Sequence, residues 1–277
     1  MIVESINSEK VNEKAKQIRV NALKMTNAAN SGHPGGSLSI ADILAVLYFG
    51  GHLKYNPADA EDPNRDVLVI SKGHASPGVY SALGLAGFFP LEDTMSFRKL
   101  GSPFQGHIDR MRVKGVEMST GSLGHGLSNA IGVALASRLD KHPRKVFAIL
   151  SDGELQEGSN WEAAMAAAHY QLSNLIVFVD RNRIRLDGWT EKTMALHPIA
   201  EKFFAFNWEV IEIDGHNIEE IHNALNQAYR LRPGDKPILI LAQTVKGKGV
   251  SFMEDEVKWH GVAPSKEDLE KALAELK

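Results

Sequence analysis

The sequence of 277 residues contains no cysteine, which excludes disulfide bonds and every form of thiolate chemistry. It has no apolar run near the ~18 residues that a membrane-spanning helix needs. Its first residues lack the basic start and apolar core of a signal peptide. The formal net charge of −3 provides no basic excess for binding nucleic acid. From these absences we expect a cytoplasmic protein with neither a membrane nor a nucleic acid as its partner.

What the sequence does contain is an ordinary globular composition, 43% hydrophobic and 23% charged, in which short apolar runs alternate with longer helical patterns. The predicted strands are Val67–Ile70, Val146–Leu150, Leu175–Asp180, Glu209–Asp214 and Pro237–Thr244. The predicted helices are Val11–Ala29, Leu38–Phe49, Ser128–Arg138, Glu157–Tyr170, Ile218–Arg230 and Lys266–Leu276. Ser37 and Ser265 are the expected N-caps of two of them. This alternation predicts an α/β fold, with a doubly wound, mainly parallel sheet and helices on both faces.

Polar residues follow the ends of the predicted strands, where ligands collect in parallel sheets. Asp152 comes directly after one strand and Asn182 comes after the next. Carboxylate and amide oxygens suit Mg²⁺ or Ca²⁺, and Mg²⁺ usually arrives with a phosphate. Gly153 would let backbone N–H groups approach a diphosphate closely. Asp, Gly and Asn are also common in ordinary turns, so a plain structural role for these residues is the alternative.

The spacing of Asp152-Gly153 and Asn182 resembles the thiamin diphosphate motif, with Ser151 in place of its first glycine and Arg183 in place of its second asparagine. Further segments match the transketolase family in the same order along the chain. They are Ser31–Gly35, Ser71–Ala75, Gly121–Gly126, Asp152–Gly158, Asp180–Ile184 and Trp259–Gly261. The sequence therefore resembles the amino-terminal half of transketolase, as found when that enzyme is split between two chains.

The resemblance implies a cofactor and a metal. The cofactor is thiamin diphosphate, and the metal is Mg²⁺, with Ca²⁺ or Mn²⁺ as substitutes. The implied metal ligands are the side chains of Asp152 and Asn182 and the backbone carbonyl of Ile184. The implied cofactor-binding residues are His74, Gly121, Ser122, Leu123, Asp152, Gly153, Glu154, Asn182 and His260.

The resemblance also implies that His33 and His107 face the sugar and move protons on its hydroxyls, and that His74 and His260 hydrogen-bond the diphosphate, with His260 counted among the catalytic residues as well. Ile108 stands where the family usually has proline, and a solvent-facing loop histidine is the alternative for His107. Glu157 matches a glutamate that links the two active sites of a dimer, although a glutamate at a helix N-terminus is also stabilised by the helix dipole.

The loop Thr244–Val250 is expected either to close over the cofactor or to be a solvated basic loop. The remaining histidines match no motif and are interpreted as surface or packing residues, namely His52, His142, His169, His197, His216 and His222.

The matched motifs occupy nearly the whole chain, so we expect one thiamin-diphosphate-binding domain of the PP type over residues 1–277. The resemblance implies that the pyrimidine-binding half, with its activating glutamate, is a separate chain in a 2+2 heterotetramer that transfers a two-carbon ketol unit between sugar phosphates. The alternatives are another thiamin diphosphate enzyme, such as a deoxyxylulose-phosphate synthase or a 2-oxo-acid dehydrogenase component, and a non-catalytic paralogue that binds the cofactor.

Overall fold

The fold is built on one parallel sheet. It is seen in a computed structural model that describes residues 2–231 and 235–277. The strands are β1 (Val67–Ile70), β2 (Val146–Ser151), β3 (Leu175–Arg181), β6 (Glu209–Asp214) and β7 (Ile238–Gln243). Their spatial order is β1-β2-β3-β7-β6, and all four neighbouring pairs are parallel. The predicted α/β fold is confirmed, and every predicted strand lies within two residues of its observed bounds.

Helices connect the strands. They are α1 (Ser8–Ala29), α2 (Pro34–Ser39), α3 (Ala41–Phe49), α4 (Ser76–Leu85), α5 (Gly126–Leu139), α6 (Gly158–His169), α7 (Thr190–Thr193), α8 (Ile199–Ala205), α9 (Ile218–Ala228) and α10 (Lys266–Glu275). A small hairpin of β4 (Ile184–Arg185) and β5 (Gly188–Trp189) lies just after β3. Short 3₁₀ turns cover Gly73–Ala75, Leu91–Ser96, Gly153–Gln156 and Val257–His260.

The apolar core is divided by the sheet into two clusters. Leu68 and Phe147 point to one face and pack with α1, α3, α4 and α9, whereas Val69 and Ala148 point to the other face and pack with α5, α6 and α8. Successive side chains of a strand alternate between faces, so strands buried on both sides read as continuous apolar runs. Helices therefore cover both faces, as the sequence predicted.

The region after α1 differs from its prediction. Instead of one helix capped near Ser37, α2 begins at Pro34 with His33 at its N-cap position, and Ile40 separates α2 from α3. Ser37 lies inside α2, where its hydroxyl donates to the backbone carbonyl of His33. The reason is that proline fits the first turn of a helix, where its missing N–H is not needed. The other predicted cap is confirmed, since the hydroxyl of Ser265 accepts from the backbone N–H of Asp268 in a capping box.

Helices α4, α7 and α8 and the β4–β5 hairpin were not predicted. The segment Lys99–Ser119, which lies within the described residues, contains no helix or strand. Of the helices in residues 2–231 and 235–277, none is long and apolar enough to cross a membrane.

Candidate functional site

The candidate site lies at the carboxyl edge of the sheet. Ser151 at the end of β2 is the register partner of Asp180 in β3, so the residues that follow both strands meet at the same edge. A cavity of about 440 Å³ opens there. Its lining includes His33, His74, Gly153, Asn182, Lys246 and His260. Residues that are far apart in the sequence are thus brought together as expected.

The three expected metal ligands are close neighbours in a hydrogen-bond network. Asp152 is buried, and its Oδ2 accepts from the Arg183 N–H at 2.9 Å and from the Thr190 hydroxyl at 3.1 Å. Asn182 Oδ1 accepts from the Ile184 N–H at 3.2 Å. Burial, followed by the nearby Asp180 carboxylate, raises the pKa of Asp152 to about 6. A cation at this edge would relieve the repulsion between the two carboxylates.

Asp180 is buried and accepts several hydrogen bonds. The sequence placed it at the end of a strand but gave it no role. Its carboxylate accepts from Lys72 Nζ at 2.5 Å, the Ser39 hydroxyl at 2.8 Å, the Thr244 hydroxyl at 2.5 Å and Asn182 Nδ2 at 2.7 Å. Burial would raise its pKa, but the Lys72 charge and these hydrogen bonds hold it below its ordinary value. The bond from Asn182 Nδ2 fixes which end of that amide is the oxygen.

A buried lysine, Lys246, lies at the same edge of the sheet as the expected metal ligands. Lys246 is buried, and its Nζ donates to the Ile184 carbonyl at 2.8 Å. The amino group of Lys246 therefore already contacts the backbone oxygen that the resemblance implies as a metal ligand. Burial, followed by the charge of Lys72, lowers the pKa of Lys246 to about 7. No group of three or more His, Asp or Glu side chains in the described residues could hold a metal. A metal at this edge would depend instead on mixed carboxylate, amide and carbonyl oxygens, which suit Mg²⁺.

Four histidines surround the cavity. The ring centroid of His33 lies 5.3 Å from that of His74, 6.1 Å from that of His107 and 5.6 Å from that of His260. His260 Nδ1 lies 2.7 Å from Lys246 Nζ, so this nitrogen accepts and Nε2 carries the proton when the lysine is charged. Among the described residues, the buried Nδ1 of His33 has no hydrogen-bond partner. The cluster thus contains one buried ring nitrogen for which the described residues supply no partner.

These histidines are held in the neutral form. Burial, with the charge of Arg98 next, lowers the pKa of His33 to about 4. Burial, with the charge of Lys246 next, lowers the pKa of His260 to about 3, and burial also keeps the pKa of His74 well below its ordinary value. A neutral imidazole has one N–H donor and one acceptor, so each ring can donate to an anion and also exchange a proton.

His107 approaches the cavity across a glycine. Gly121 has φ +139°, and a Cβ at this position would lie 2.5 Å from His107 Cδ2. Only glycine therefore allows this approach. His107 is exposed, as the alternative for it supposed, but its ring faces His33. Leu123 also lines the cavity, whereas Ser122 is exposed beside it and does not.

The two glutamates after Gly153 occupy contrasting positions. Glu154 is buried, and its carboxylate accepts from the Ser71 hydroxyl, from Gly124 N–H at 2.9 Å and from Ser151 N–H at 3.4 Å. Both of its oxygens are therefore used to join the loops around the cavity. Glu157 is exposed at the rim, at the N-cap position of α6, and makes no capping hydrogen bond. Its carboxylate remains available to another chain.

The loop Thr244–Val250 contributes more than the sequence indicated. Lys246 is buried in the site, so the solvated-loop alternative is wrong for this residue, while Lys248 is partly exposed and pairs with Glu254 at 3.5 Å. Lys72 and Asp180 were also missed as site residues. The available signal was a charged residue directly after an apolar strand, which in a parallel sheet lies where ligands bind. Outside the site, His52 and His222 form a hydrogen-bonded pair at 2.8 Å.

Comparison with known proteins gives one consistent family. The family model described as "Transketolase, thiamine diphosphate binding domain" matches residues 10–276. A 6-deoxy-6-sulfo-D-fructose transketolase subunit of a Clostridium species is 44% identical, with 95% of this chain and 94% of that protein covered. An apulose-4-phosphate transketolase subunit of Actinobacillus succinogenes is 38% identical, with 99% of this chain and 98% of that protein covered.

Longer relatives match over only part of their length. Human transketolase is 36% identical over 95% of this chain, which covers 41% of that protein. The crystal structure of Campylobacter jejuni transketolase superposes with a TM-score of 0.91 at 38% identity, and covers 98% of this chain and 43% of that one. The chain thus matches subunit-sized relatives almost end to end and less than half of the single-chain ones.

Proposed function

The chain belongs to the transketolase family as its thiamine diphosphate-binding domain, and on that premise we propose that it is the amino-terminal subunit of a split transketolase. With its partner it transfers a two-carbon ketol unit from a ketose phosphate to an aldose phosphate. The observation that carries the proposal is the cluster of His33, His74, His107 and His260 around a cavity that Asn182 lines, with Asp152 buried beside it. We further propose that residues 1–277 form one domain.

The proposed metal is Mg²⁺, with Ca²⁺ or Mn²⁺ as substitutes, held by the side chains of Asp152 and Asn182 and the carbonyl of Ile184. The ammonium of Lys246 on that carbonyl supports a cation-binding edge. Thiamin diphosphate would be bound by His74, His260 and the Gly153 N–H at its diphosphate and by Gly121 and Leu123 at its ring. Ser122 and Glu154 have supporting roles, since one lies beside the cavity and the other joins its loops.

Bound thiamin diphosphate would supply an electron sink for breaking the carbon–carbon bond next to the ketose carbonyl. The chain's own residues bind and move protons. His33 and His107 both line the cavity, with ring centroids 6.1 Å apart, and would exchange protons with sugar hydroxyls. His260, fixed by Lys246 through Nδ1, directs its Nε2–H as a donor. Because burial keeps the ring of His33 neutral, it can act as a base at neutral pH.

A partner is an integral part of the proposal. At the rim of the cavity, Leu186 and Met194 are exposed and Glu157 has no capping bond. The pyrimidine-binding half would cover this rim from a separate chain, in a 2+2 heterotetramer in which Glu157 links the two sites. The relatives named as subunits support a partner of this kind.

The substrate is a sugar that carries an anionic group. Ketose and aldose phosphates of the pentose-phosphate type are the first candidates. A sulfonated ketose is a second candidate, because the relative with 44% identity is named for 6-deoxy-6-sulfo-D-fructose. Phosphate and sulfonate are both tetrahedral anionic groups, so the same kind of site could bind either.

The proposal is tested by reconstituting the chain with a pyrimidine-binding subunit, thiamin diphosphate and Mg²⁺. The donors are xylulose 5-phosphate, fructose 6-phosphate, apulose 4-phosphate, 6-deoxy-6-sulfo-fructose and pyruvate. We expect ketol transfer from at least one sugar, and none from either chain alone. Turnover of pyruvate alone would favour another thiamin diphosphate enzyme and contradict the proposal, as would robust turnover by this chain without a partner.

Replacement of His33 separates an enzyme from a non-catalytic paralogue. His33→Ala should lower kcat by about 10²- to 10⁴-fold, the usual contribution of general acid–base catalysis. His169→Ala, at the exposed end of α6, is the matched control and should leave turnover unchanged. Equal turnover of the two variants would remove His33 from its proposed role.

A further inference from the structure

His216 matched no motif in the sequence, yet it joins two strand ends of the sheet. It follows β6, and its Nε2 accepts from the backbone N–H of Val245 after β7 at 2.8 Å. Its Nδ1 lies 2.6 Å from Asp42 Oδ2. Because a backbone N–H can only donate, Nε2 is the acceptor and Nδ1 carries the proton. The ring is therefore held as one neutral tautomer that donates to Asp42 and accepts from Val245.

Asp42 is anchored in turn by Arg19. Both carboxylate oxygens face the guanidinium of Arg19, in a two-point contact across α1 and α3. Both side chains are buried, at 8% exposure for Arg19 and 4% for Asp42. Burial would raise the pKa of Asp42, but the charge of Arg19 and the bond from His216 lower it. The chain of contacts thus begins in the core and ends at the loop after β7.

The loop that receives this contact carries several groups of the site. Thr244 donates to Asp180, and Lys246 donates to the Ile184 carbonyl and lies 2.7 Å from His260 Nδ1. Val245 lies between them, and its N–H is one of the backbone contacts of the segment, beside those from Thr244 N–H to the Arg181 carbonyl at 3.3 Å and from Asp255 N–H to the Lys246 carbonyl at 2.9 Å. Arg19 also packs directly against this loop, since a Cβ built on Gly249 would lie 3.3 Å from Arg19 Cδ.

Close packing of the two strand ends supports this arrangement. Gly215 precedes His216, and a Cβ at this position would lie 2.5 Å from Thr244 Cγ2. The Gly215 N–H also donates to the Gln243 carbonyl at 2.8 Å. The segment after β6 therefore packs closely against the segment after β7, next to the contact between His216 and Val245.

We propose that Arg19, Asp42 and His216 are positioning residues that fix the segment Thr244–Lys246 and so hold the Lys246 ammonium at the metal and diphosphate end of the cavity. This inference rests on the proposed function, since it assigns the network an effect on cofactor binding. None of the three side chains lines the cavity, so each acts through Val245 and Lys246. Their loss should lower the affinity for the cofactor more than it lowers kcat at saturating cofactor.

The first measurement is hydrogen exchange of the isolated chain without cofactor, which is independent of the proposed function. His216→Phe keeps an aromatic ring but removes both hydrogen bonds, and should speed exchange of the Val245 amide at least about tenfold, which is the factor expected for about 1.4 kcal/mol. His216→Gln retains one donor and one acceptor and should be intermediate. His222→Gln is the control, because it removes another buried histidine without touching Val245.

The second measurement is the affinity of the reconstituted complex for thiamin diphosphate at fixed Mg²⁺, by calorimetry. Supporting residues of this kind change affinity about 10- to 100-fold. We expect that loss for His216→Phe and Asp42→Asn, a smaller one for His216→Gln, and none for His222→Gln. Faster exchange with unchanged affinity, or unchanged exchange, would overturn the inference. If the wild-type complex takes up no thiamin diphosphate, the proposed function fails together with this inference, whereas normal wild-type uptake with unchanged variants refutes this inference alone.

Discussion

Lys72 and Asp180 form an ion pair with Nζ 2.5 Å from Oδ2, and both side chains are almost completely buried beneath the cavity. The same carboxylate holds the amide of Asn182, the hydroxyl of Ser39 and the hydroxyl of Thr244. Asp180 is therefore compensated by charge and by hydrogen bonds, as a buried carboxylate must be. The pair lies between the core and the site, so it affects both.

Lys72→Met should lower the free energy of unfolding by about 3–5 kcal/mol, because it leaves Asp180 buried without its counter-charge. Urea unfolding of the isolated chain measures this. Lys248→Met is the matched control, since Lys248 pairs with Glu254 at a partly exposed position and should cost less than about 1 kcal/mol. An equal decrease in the free energy of unfolding in the two variants would contradict a larger contribution from the buried Lys72–Asp180 pair.

Asp152→Ala should abolish the tight uptake of thiamin diphosphate and Mg²⁺ by the reconstituted complex. The variant removes a proposed ligand oxygen, so the affinity should fall by more than the about 10- to 100-fold expected of a supporting residue. Calorimetry of the complex measures the loss. Asp140→Ala, at the exposed end of α5, should bind like the wild type. Undiminished uptake by Asp152→Ala would contradict the assigned metal site.

Gly121→Ala should misplace His107. The new Cβ would meet His107 Cδ2 at 2.5 Å and would sit on backbone with φ +139°, at a cost of about 1–3 kcal/mol. In the reconstituted enzyme we expect KM for the sugar to rise and kcat to fall. Gly132→Ala provides the contrast, because no atom lies within 4 Å of its Cβ position in the middle of α5. It should stabilise the isolated chain by about 0.5–1 kcal/mol.

The buried pair of His52 and His222 should make stability fall in acid. Burial, with His222 next, lowers the pKa of His52 to about 3, and burial also lowers the pKa of His222. Below the unfolded pKa of about 6.5, the two imidazoles are protonated in the unfolded chain but remain neutral in the folded protein. Stability is therefore full above about pH 6.5 and declines as the pH falls toward the folded pKa.

Urea unfolding at about pH 7.5 and about pH 5 checks this expectation. A double variant, His52→Gln with His222→Gln, should lose less stability between the two pH values than the wild type does. The comparison cancels the similar contributions of the cavity histidines, which both proteins share. An identical pH dependence in the two proteins would contradict the assignment.

Four strands, β1, β2, β3 and β7, were predictable because each is buried on both faces and reads as a short apolar run, as Val67–Ile70 does. The edge strand β6 is largely half-buried or exposed, and its apolar residues are interspersed with acidic ones. Helix α4 was missed because Pro77 and Gly78 interrupt its pattern, yet Pro77 fits its first turn. Helix α8 was missed because it has only seven residues and its hydrophobic partners lie on β6 and α6. Packing across the fold decides such elements, and no local pattern contains it.

The placement of Asp152, Asn182 and the four histidines at one edge of the sheet could be predicted from motifs, because each motif places its residue just after a strand or at a turn. The roles of Lys72, Lys246 and His216 could not, because each is defined by a contact with a residue far away in the sequence. Val245 and His216 are one such pair, joined by a single hydrogen bond. A lone histidine or lysine in a loop gives no indication of that partner.

The strand register that places Ser151 beside Asp180 determines both the position of the site residues and the packing of the core. One residue inserted within β2 would turn Asp152 toward the opposite side of the sheet and send Phe147 and Ile149 into the wrong apolar layer. A change in the length of this strand would therefore alter the apolar core and the site at the same time. The loops beyond the strand ends carry no such constraint, so their lengths can change without reversing the faces of the sheet.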